Sequence, residues 1–373
     1  MFFRDIVGQK DIIKRFILEV SEGRVPHAQL LCGPEGSGKL PLAIAYARYL
    51  CCTNRTAEDA CGTCPSCMQF NKVGHPDLHF VFPVIKKGKE PPTSDDYINE
   101  WRNLVTKSPY FNLNHWLREM GAENQQAMIY ERESGEILRK LSLKSFEGGY
   151  KVMLIWLPEK MNETCANKLL KILEEPPTQT VILLVSENPD LLLGTILSRT
   201  QRINVPRIDE NDIESTLEQK YGLGQDDARF IAHASGGNFI KALEAFHLND
   251  DNKAFFDWFV SLMRLAYQRN VKEMKAWSEQ LAGIGRERQK NFLSYCQRMI
   301  RESFIFNFHR DELSYMNRDE RNFAQRFAPF VNERNAIGIM DELNEAQRDI
   351  EHNVNAKMVF FDFSLKMIVL IKQ

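Results

Sequence analysis

A glycine-rich stretch at residues 33–40, GPEGSGKL, constrains the fold more than any other part of the sequence. It follows the apolar run Leu30-Leu31-Cys32 and precedes an apolar helical pattern, which predicts a strand, a loop and a helix. In this context a GxxxxGK[ST] loop cradles phosphates, because glycines let backbone N–H groups converge on phosphate oxygens and the lysine reaches the outer phosphates. The candidate nucleotide-binding residues are Gly33, Gly36, Ser37, Gly38 and Lys39.

The last position of this loop departs from the phosphate-binding pattern. Leu40 stands where a Ser or Thr hydroxyl would hold Mg²⁺, and its side chain offers only carbon. The loop therefore has the form of a phosphate-binding loop without its metal ligand. A plain glycine turn before a helix is the alternative interpretation.

Length and charge indicate a multidomain protein of the cytoplasm. The 373 residues are enough for two or three domains, and a hydrophobic content of 43% is ordinary for globular chains. A formal net charge of −2 argues against a general electrostatic grip on nucleic acid, although a local basic face stays open. Residues 1–5 do not resemble a signal peptide, and the apolar tail at 358–371 is too short and polar to span a bilayer.

Five cysteines lie between residues 51 and 67, and their spacing predicts a structural zinc site. Two C-x-x-C steps share Cys64, an arrangement that four thiolates around one tetrahedral Zn²⁺ satisfy better than disulfides in a reducing cytosol. The predicted ligands are Cys52, Cys61, Cys64 and Cys67, with Cys51 as the alternative. A closed Cys₄ site leaves no open coordination position, so the expected role is to fold a knuckle.

Strands alternate with helices through the rest of the first two hundred residues. The sequence predicts a strand at 77–84, a second at 151–157, and a third at 181–186 that follows a helix stopped by Pro176-Pro177. This alternation predicts a parallel sheet covered on both faces.

The segment 85–128 is harder to assign than the strands and helices around it. Its loop at 86–92 is interpreted as solvated, with contact to DNA or a partner as the alternative, and 97–120 as two short helices. From residue 253 the pattern is helical. Two buried stripes are predicted there: Phe255, Phe259, Leu262, Met263 and Ala266, and Met358, Phe361, Leu365, Ile368 and Val369.

Three of these features together resemble one family. They are the run NKLLKILEEPP at 167–177, the motif Ser198-Arg199-Thr200, and the cysteine knuckle after the glycine-loop helix. The chain resembles bacterial sliding-clamp loader subunits, the AAA+ family of DNA polymerase III delta-prime and gamma/tau subunits. The resemblance covers nearly the whole chain and is weakest at 85–128.

The resemblance implies a three-part architecture. Residues 1–206 would form an α/β AAA+ domain, a P-loop RecA-like parallel sheet with the zinc knuckle at 51–67 and the insertion at 85–128. Residues 207–250 would form a small helical lid, with the next boundary at 249–252. Residues 251–373 would form the all-α collar through which loader subunits pack.

The family divides into motors that hydrolyse ATP and delta-prime subunits that do not. Motors carry an Asp-Glu pair that holds Mg²⁺ and activates water, but the matching positions here are Trp156 and Leu157. The position of the motors' sensor-2 arginine is Ile240. With Leu40, these departures imply weak or absent ATP binding, no Mg²⁺ site and no intrinsic ATPase activity.

At position 199 the chain has an arginine that is functional in the family. In clamp loaders the arginine of the Ser-Arg-Cys motif projects into the neighbouring subunit's ATP site and neutralises charge on the transferred phosphate. Thr200 replaces the cysteine here, which leaves the guanidinium chemistry unchanged. A surface arginine after a strand is the alternative interpretation.

The resemblance therefore implies a non-hydrolysing delta-prime-type subunit that helps to load the sliding clamp on primed DNA. Its expected partners are gamma/tau-type and delta-type subunits in a hetero-pentamer, with the clamp and primer-template DNA reached through the complex. The alternatives are an ATP-hydrolysing gamma/tau-type motor and an AAA+ relative in another DNA transaction.

Overall fold

The computed structural model describes residues 1–86, 90–122, 125–146, 149–308, 316 and 318–372. They form two compact units, residues 1–245 and 246–373. The division into three domains after residues 206 and 250 stays a prediction. The loop at 86–92 falls partly outside the described residues.

A parallel five-stranded sheet forms the centre of the first unit, as the alternation of strands and helices predicts. The strands lie in the order β2-β3-β4-β1-β5, with bounds β1 Ala28–Cys32, β2 Leu78–Val81, β3 Lys151–Trp156, β4 Thr180–Ser186 and β5 Gln201–Asn204. Every residue of β1, β3 and β4 is buried, as expected for inner strands covered on both faces. The edge strand β5 was not predicted, because its sequence QRIN is polar and buries only Ile203.

Helices surround this sheet and continue beyond it. Their bounds in the first unit are α1 Lys10–Ser21, α2 Lys39–Cys51, α3 Pro65–Asn71, α4 Ile98–Lys107, α5 Leu113–Glu119, α6 Glu131–Ser142, α7 Glu163–Glu174, α8 Gly194–Leu197, α9 Glu210–Tyr221 and α10 Gln225–Ser235. Helix α7 begins where the Asn162 side chain accepts the Cys165 N–H, and it ends before the two prolines.

The strand predicted at 77–84 is shorter than expected, because the insertion takes over its hydrogen bonds. The Phe82 N–H donates to the Ser94 hydroxyl at 3.0 Å, and Val84 forms an isolated antiparallel bridge with Met128. The two short helices predicted at 97–120 are present as α4 and α5.

A single helix, α11 Phe239–Gln268, runs through the residues 249–252 at which the next domain boundary is predicted. The turn-forming Asn and Asp residues there do not end the helix. The second unit adds α12 Val271–Ala282, α13 Arg286–Phe306, α14 Arg318–Phe327, α15 Ala336–Glu351 and α16 Ala356–Leu370. None of the described helices is long and apolar enough to cross a membrane.

The core of the second unit corrects one of the two predicted stripes. The stripe on α11 is buried, including Phe259 at 0% exposure. On α16 the prediction holds only in part: Met358 is 69% exposed and Val369 is 61% exposed, whereas Phe361, Leu365 and Ile368 pack partly buried against the core. The most buried residues of this helix include Phe360 and Phe363. This helix is apolar on nearly all sides, so its sequence period does not identify the core face.

Candidate functional sites

The glycine loop joins β1 to α2 and has the backbone that its sequence predicts. Gly36 and Gly38 have φ angles of 74° and 82°, in the left-handed region that glycine enters without steric cost. A Cβ atom at Gly33 would lie 2.0 Å from the Val205 carbonyl oxygen, and one at Gly36 would lie 1.8 Å from Asn238 Oδ1. The loop is therefore closely packed against its own chain on two sides.

Lys39 is turned back onto this loop. Its Nζ donates to the Pro34 carbonyl at 2.5 Å and lies 3.4 Å from Ser37 Oγ, and the residue is only 4% exposed. Burial lowers the pKa of Lys39, and the Glu187 carboxylate is the strongest of the groups that oppose this effect. Burial likewise raises the pKa of Glu187, and Lys39 lowers it. Lys39 and Glu187 line the same small cavity, so a carboxylate of the chain itself lies where a phosphate-binding lysine would meet a phosphate.

Residues of the insertion fill the space in front of the loop. The Tyr110 ring packs so close to Gly38 that a Cβ atom added at Gly38 would lie 3.3 Å from it. The Tyr110 ring centroid is 4.8 Å from that of Phe239. The Tyr110 hydroxyl accepts the Val7 N–H at 2.9 Å. The remaining cavity measures about 20 Å³, room for about one water, whereas small-molecule pockets begin at about 300 Å³. A nucleotide does not fit in this conformation.

The positions that a motor would use for metal and phosphate carry buried apolar side chains. Leu40, Trp156, Leu157 and Ile240 are each at most 4% exposed. The Trp156 ring centroid lies 5.2 Å from that of Trp101, an insertion residue that is itself fully buried. These positions therefore belong to the hydrophobic core and offer neither a metal ligand nor a base.

The four cysteines predicted as ligands come together. The sulfur atoms of Cys52, Cys61, Cys64 and Cys67 all lie within 4.8 Å of one another. Cys52 Sγ is 3.6 Å from Cys61 Sγ and 3.9 Å from Cys64 Sγ, far beyond the roughly 2.05 Å of a disulfide. Zn–S bonds of about 2.3 Å in a tetrahedron place sulfurs about 3.8 Å apart, so this cluster fits a tetrathiolate zinc ion.

Backbone N–H groups point at these sulfurs. The Cys61 N–H donates to Cys52 Sγ at 3.3 Å, the Cys64 N–H to Cys61 Sγ at 3.4 Å, and the Cys67 N–H to Cys64 Sγ at 3.4 Å. Hydrogen bonds from Thr63 and Cys64 N–H groups lower the pKa of Cys61 to about 6. Donors of this kind stabilise thiolates, which are the metal-binding form of cysteine.

Two neighbours of this cluster have other roles. Cys51, the alternative ligand, donates its thiol to the Tyr150 carbonyl at 3.5 Å and is not part of the group of four. Burial raises the pKa of Cys67, and the Arg48 guanidinium is the strongest of the groups that lower it.

Arg199 follows α8 and lies at the surface of the first unit. Its Nε donates to Glu174 Oε1 at 2.8 Å, and Nη2 forms an ion pair with the same carboxylate. Nη1 donates to the Thr195 carbonyl at 3.0 Å. These contacts hold the guanidinium in a defined place. One third of the Arg199 side chain is exposed, so a partner can reach it from outside.

Sequence reasoning missed three residues of these sites. Tyr110 lies in the segment predicted as two short helices, and Glu174 lies at the end of the predicted helix that the prolines stop; neither position signals a site. The third residue, Arg48, is fully buried beside the cysteine cluster. Its charge is the one signal available, because no other charged residue follows Lys39 in α2 and a charge within a buried helix needs a partner.

A parallel sheet in this strand order, with a glycine loop after β1 and a helical region from α9 onward, defines the AAA+ class of P-loop proteins, as predicted. A family described as "DNA polymerase III, delta subunit" matches residues 8–209, more than half of the sequence. The chain belongs to this family, which confirms the predicted kinship with clamp-loader subunits.

Individual relatives are similar over part of the chain. The chain is 35% identical over 173 residues to DNA polymerase III subunit delta' of Pseudomonas aeruginosa, covering 46% of this chain and 41% of that protein. It is 26% identical over 216 residues to DNA polymerase III subunit tau of Escherichia coli, covering 58% and 27%. The matches span less than half the length of these two relatives.

One similar solved structure is a DNA polymerase III, gamma subunit-related protein from Thermotoga maritima. The alignment covers 97% of this chain and 99% of that one at 13% identity, with a TM-score of 0.35. Likeness at this level carries no argument about function.

Proposed function

We propose that the chain is a non-hydrolysing, delta-prime-type subunit of a bacterial DNA polymerase III clamp loader. One observation carries the proposal: the nucleotide site is filled by the chain's own side chains, whereas Arg199 is hydrogen-bonded at the surface with one third of its side chain exposed. A subunit with this pair of features cannot turn over ATP itself but can complete a site on a neighbour.

The absence of turnover rests on the chemistry of phosphoryl transfer. Hydrolysis needs Mg²⁺ to bridge the phosphates and a carboxylate or equivalent group to orient the attacking water. Neither is supplied by Leu40, Trp156 or Leu157, whose side chains are buried and apolar. The Tyr110 ring fills the space next to Gly38. The retained Lys39 is engaged with Pro34 and faces Glu187.

The role in trans rests on the placement of Arg199. Glu174 Oε1 contacts both Nε and Nη2 of this guanidinium, the pair of donors that an arginine can also present to a phosphate. In the assembled loader, a γ-phosphate bound by the neighbouring subunit would take the place of Glu174 and gain the positive charge. Such an arginine is worth about 10³ to 10⁵ in kcat in related phosphoryl-transfer systems.

The proposal includes the partners that this role needs. They are gamma/tau-type subunits, one of which binds the ATP completed by Arg199, and a delta-type subunit, with the sliding clamp and primer-template DNA reached through the complex. We also propose that Cys52, Cys61, Cys64 and Cys67 hold a structural Zn²⁺, whose role is to fold the 51–67 knuckle.

The test uses clamp loaders reconstituted with single variants of this chain. Arg199→Ala should slow clamp- and DNA-stimulated ATP hydrolysis, because one of the ATP sites loses its arginine while the others keep theirs. Lys39→Ala should do little. Arg202→Ala is the matched control, because it removes the same charge from an exposed position three residues away.

Three outcomes would contradict the proposal. A crippling Lys39→Ala beside a harmless Arg199→Ala would assign the chain to the motor class, since a P-loop lysine serves the site of its own subunit. ATP turnover by the purified wild-type chain alone would do the same. Equal losses from Arg199→Ala and Arg202→Ala would leave Arg199 as a surface charge only.

A further inference from the structure

Arg48 is a fully buried cation whose hydrogen-bond partners are all neutral. It lies in the last turn of α2 with 0% exposure. Its Nη2 donates to the Cys67 carbonyl at 2.8 Å and to Asn71 Oδ1 at 2.7 Å, and Nη1 donates to the Met1 carbonyl at 3.3 Å. In the described part of the chain, no ion pair joins Arg48 to a carboxylate, and its Nε has no acceptor.

A buried guanidinium of this kind needs a negative charge nearby. Arginine stays protonated in proteins, so it cannot become neutral on burial as a lysine can. Hydrogen bonds to neutral groups replace only part of the lost hydration. The C-terminal end of α2 contributes a partial negative charge of about half a unit, which leaves a good part of the cation unbalanced.

The cysteine cluster is a source of such charge that is linked directly to Arg48. Cys67 links the two features, because its carbonyl accepts from Arg48 and its sulfur belongs to the group of four. Four thiolates around one Zn²⁺ carry a net charge of about −2. The Arg48 guanidinium also lies 3.6 Å from the Phe2 ring centroid, and a Cβ at Gly62 in the knuckle would lie 3.2 Å from that ring.

We propose that Arg48 is the internal counter-ion of the tetrathiolate zinc site and a positioning residue for α3, which carries Cys67. The proposal rests on the zinc site proposed above. Arg48 fixes α3 at both ends, through the Cys67 carbonyl in its first turn and Asn71 at its last residue.

Charge and metal are then thermodynamically linked. If Arg48 strengthens zinc binding by some factor, bound zinc stabilises the buried Arg48 by the same factor. Arg48 should therefore stabilise the folded protein when zinc is bound. When zinc is removed, it should stabilise the folded protein much less or destabilise it. A purely structural arginine would give the same effect in both states.

The test compares zinc affinity by chelator competition in the full-length wild type, Arg48→Gln and Arg48→Lys. Arg48→Gln should weaken binding about 10- to 100-fold, the usual effect of removing an outer-shell partner. Arg48→Lys should lose less, because it keeps the charge. Arg55→Met is the matched control: this exposed arginine in the knuckle loop should change affinity by no more than about 2-fold.

Thermal unfolding with and without a chelator supplies the second readout. Arg48→Gln should lower the melting temperature clearly with zinc present and by less without it. Equal shifts in the two states would overturn the counter-ion role, as would a Gln variant that binds zinc as well as the Lys variant. A wild type that binds no zinc would instead overturn the metal site, so the two failures are distinguishable.

Discussion

Removing the Tyr110 side chain tests whether the nucleotide site has become part of the core. The Tyr110 ring packs on Gly38 and Phe239, and its hydroxyl accepts the N–H of Val7, which is itself 4% exposed. Tyr110→Ala should cost about 3 kcal/mol, the lower part of the range for aromatic truncations, because the residue is only partly buried. Tyr110→Phe should cost about 1 kcal/mol, because only the Val7 hydrogen bond is lost.

The assay is thermal unfolding with and without millimolar ATP and Mg²⁺. At about 2–4 °C per kcal/mol for a unit of this size, Tyr110→Ala should lower the melting temperature by about 6–12 °C. Neither the variant nor the wild type should gain stability from ATP and Mg²⁺. The void left by one ring is too small for a nucleotide, and Leu40 and Trp156 still deny the metal a ligand.

Tyr267→Ala is the control, because this tyrosine is 56% exposed and should change stability by less than Tyr110→Ala does. The reasoning is refuted if ATP and Mg²⁺ stabilise the wild type, since a filled site has no room to bind them. It is also refuted if Tyr110→Ala has the same melting temperature as the wild type, since the ring would then contribute nothing to packing.

Three further predictions concern the metal, pH and the helical unit. Cys64→Ser should release zinc, measured by elemental analysis of the purified protein, whereas Cys51→Ser should retain it because Cys51 lies outside the cluster. Burial raises the pKa of Glu133 to about 7 from 4.5, so the folded state keeps a proton that the unfolded state loses, and stability should fall as pH rises through this window. Glu133→Gln should flatten that slope and gain about 1–3 kcal/mol at pH 8, measured by chemical denaturation at pH 5 and 8. Glu320→Ala should destabilise the second unit by about 1–3 kcal/mol in thermal unfolding, because the Tyr295 hydroxyl and the partly exposed Arg298 lose the buried carboxylate that they contact.

The sheet and the cysteine cluster were predictable because their signals are local. Apolar runs at β1, β3 and β4 match strands buried on both faces, and the C-x-x-C spacing alone brings three of the four sulfurs within reach of one ion. Departures from the motor pattern were also readable, since each is a single substitution at a fixed distance from a motif.

The filled pocket was not predictable, because it depends on contacts between distant segments. Tyr110 meets Val7 across 103 residues of sequence, and no local period identifies such a pair. The buried face of α16 was only partly predictable for a local reason. The sequence of this helix is apolar on nearly all sides, so the 3.6-residue period does not indicate which face is buried. Asn and Asp at 249–252 do not interrupt α11, because turn-forming residues also occur within long helices whose ends are fixed elsewhere.

The glycines of the glycine loop are needed for packing even without a nucleotide. A side chain at Gly33 would meet the Val205 backbone, and one at Gly36 would meet Asn238, whose neighbour Phe239 donates its N–H to the Gly36 carbonyl at 3.1 Å. These contacts come from the chain itself, so they constrain the loop whether or not phosphate ever binds. A Ser or Thr at position 40 would serve only the metal, whereas the glycines also serve packing. A glycine loop of this kind therefore indicates the fold, and the side chains around it decide the chemistry.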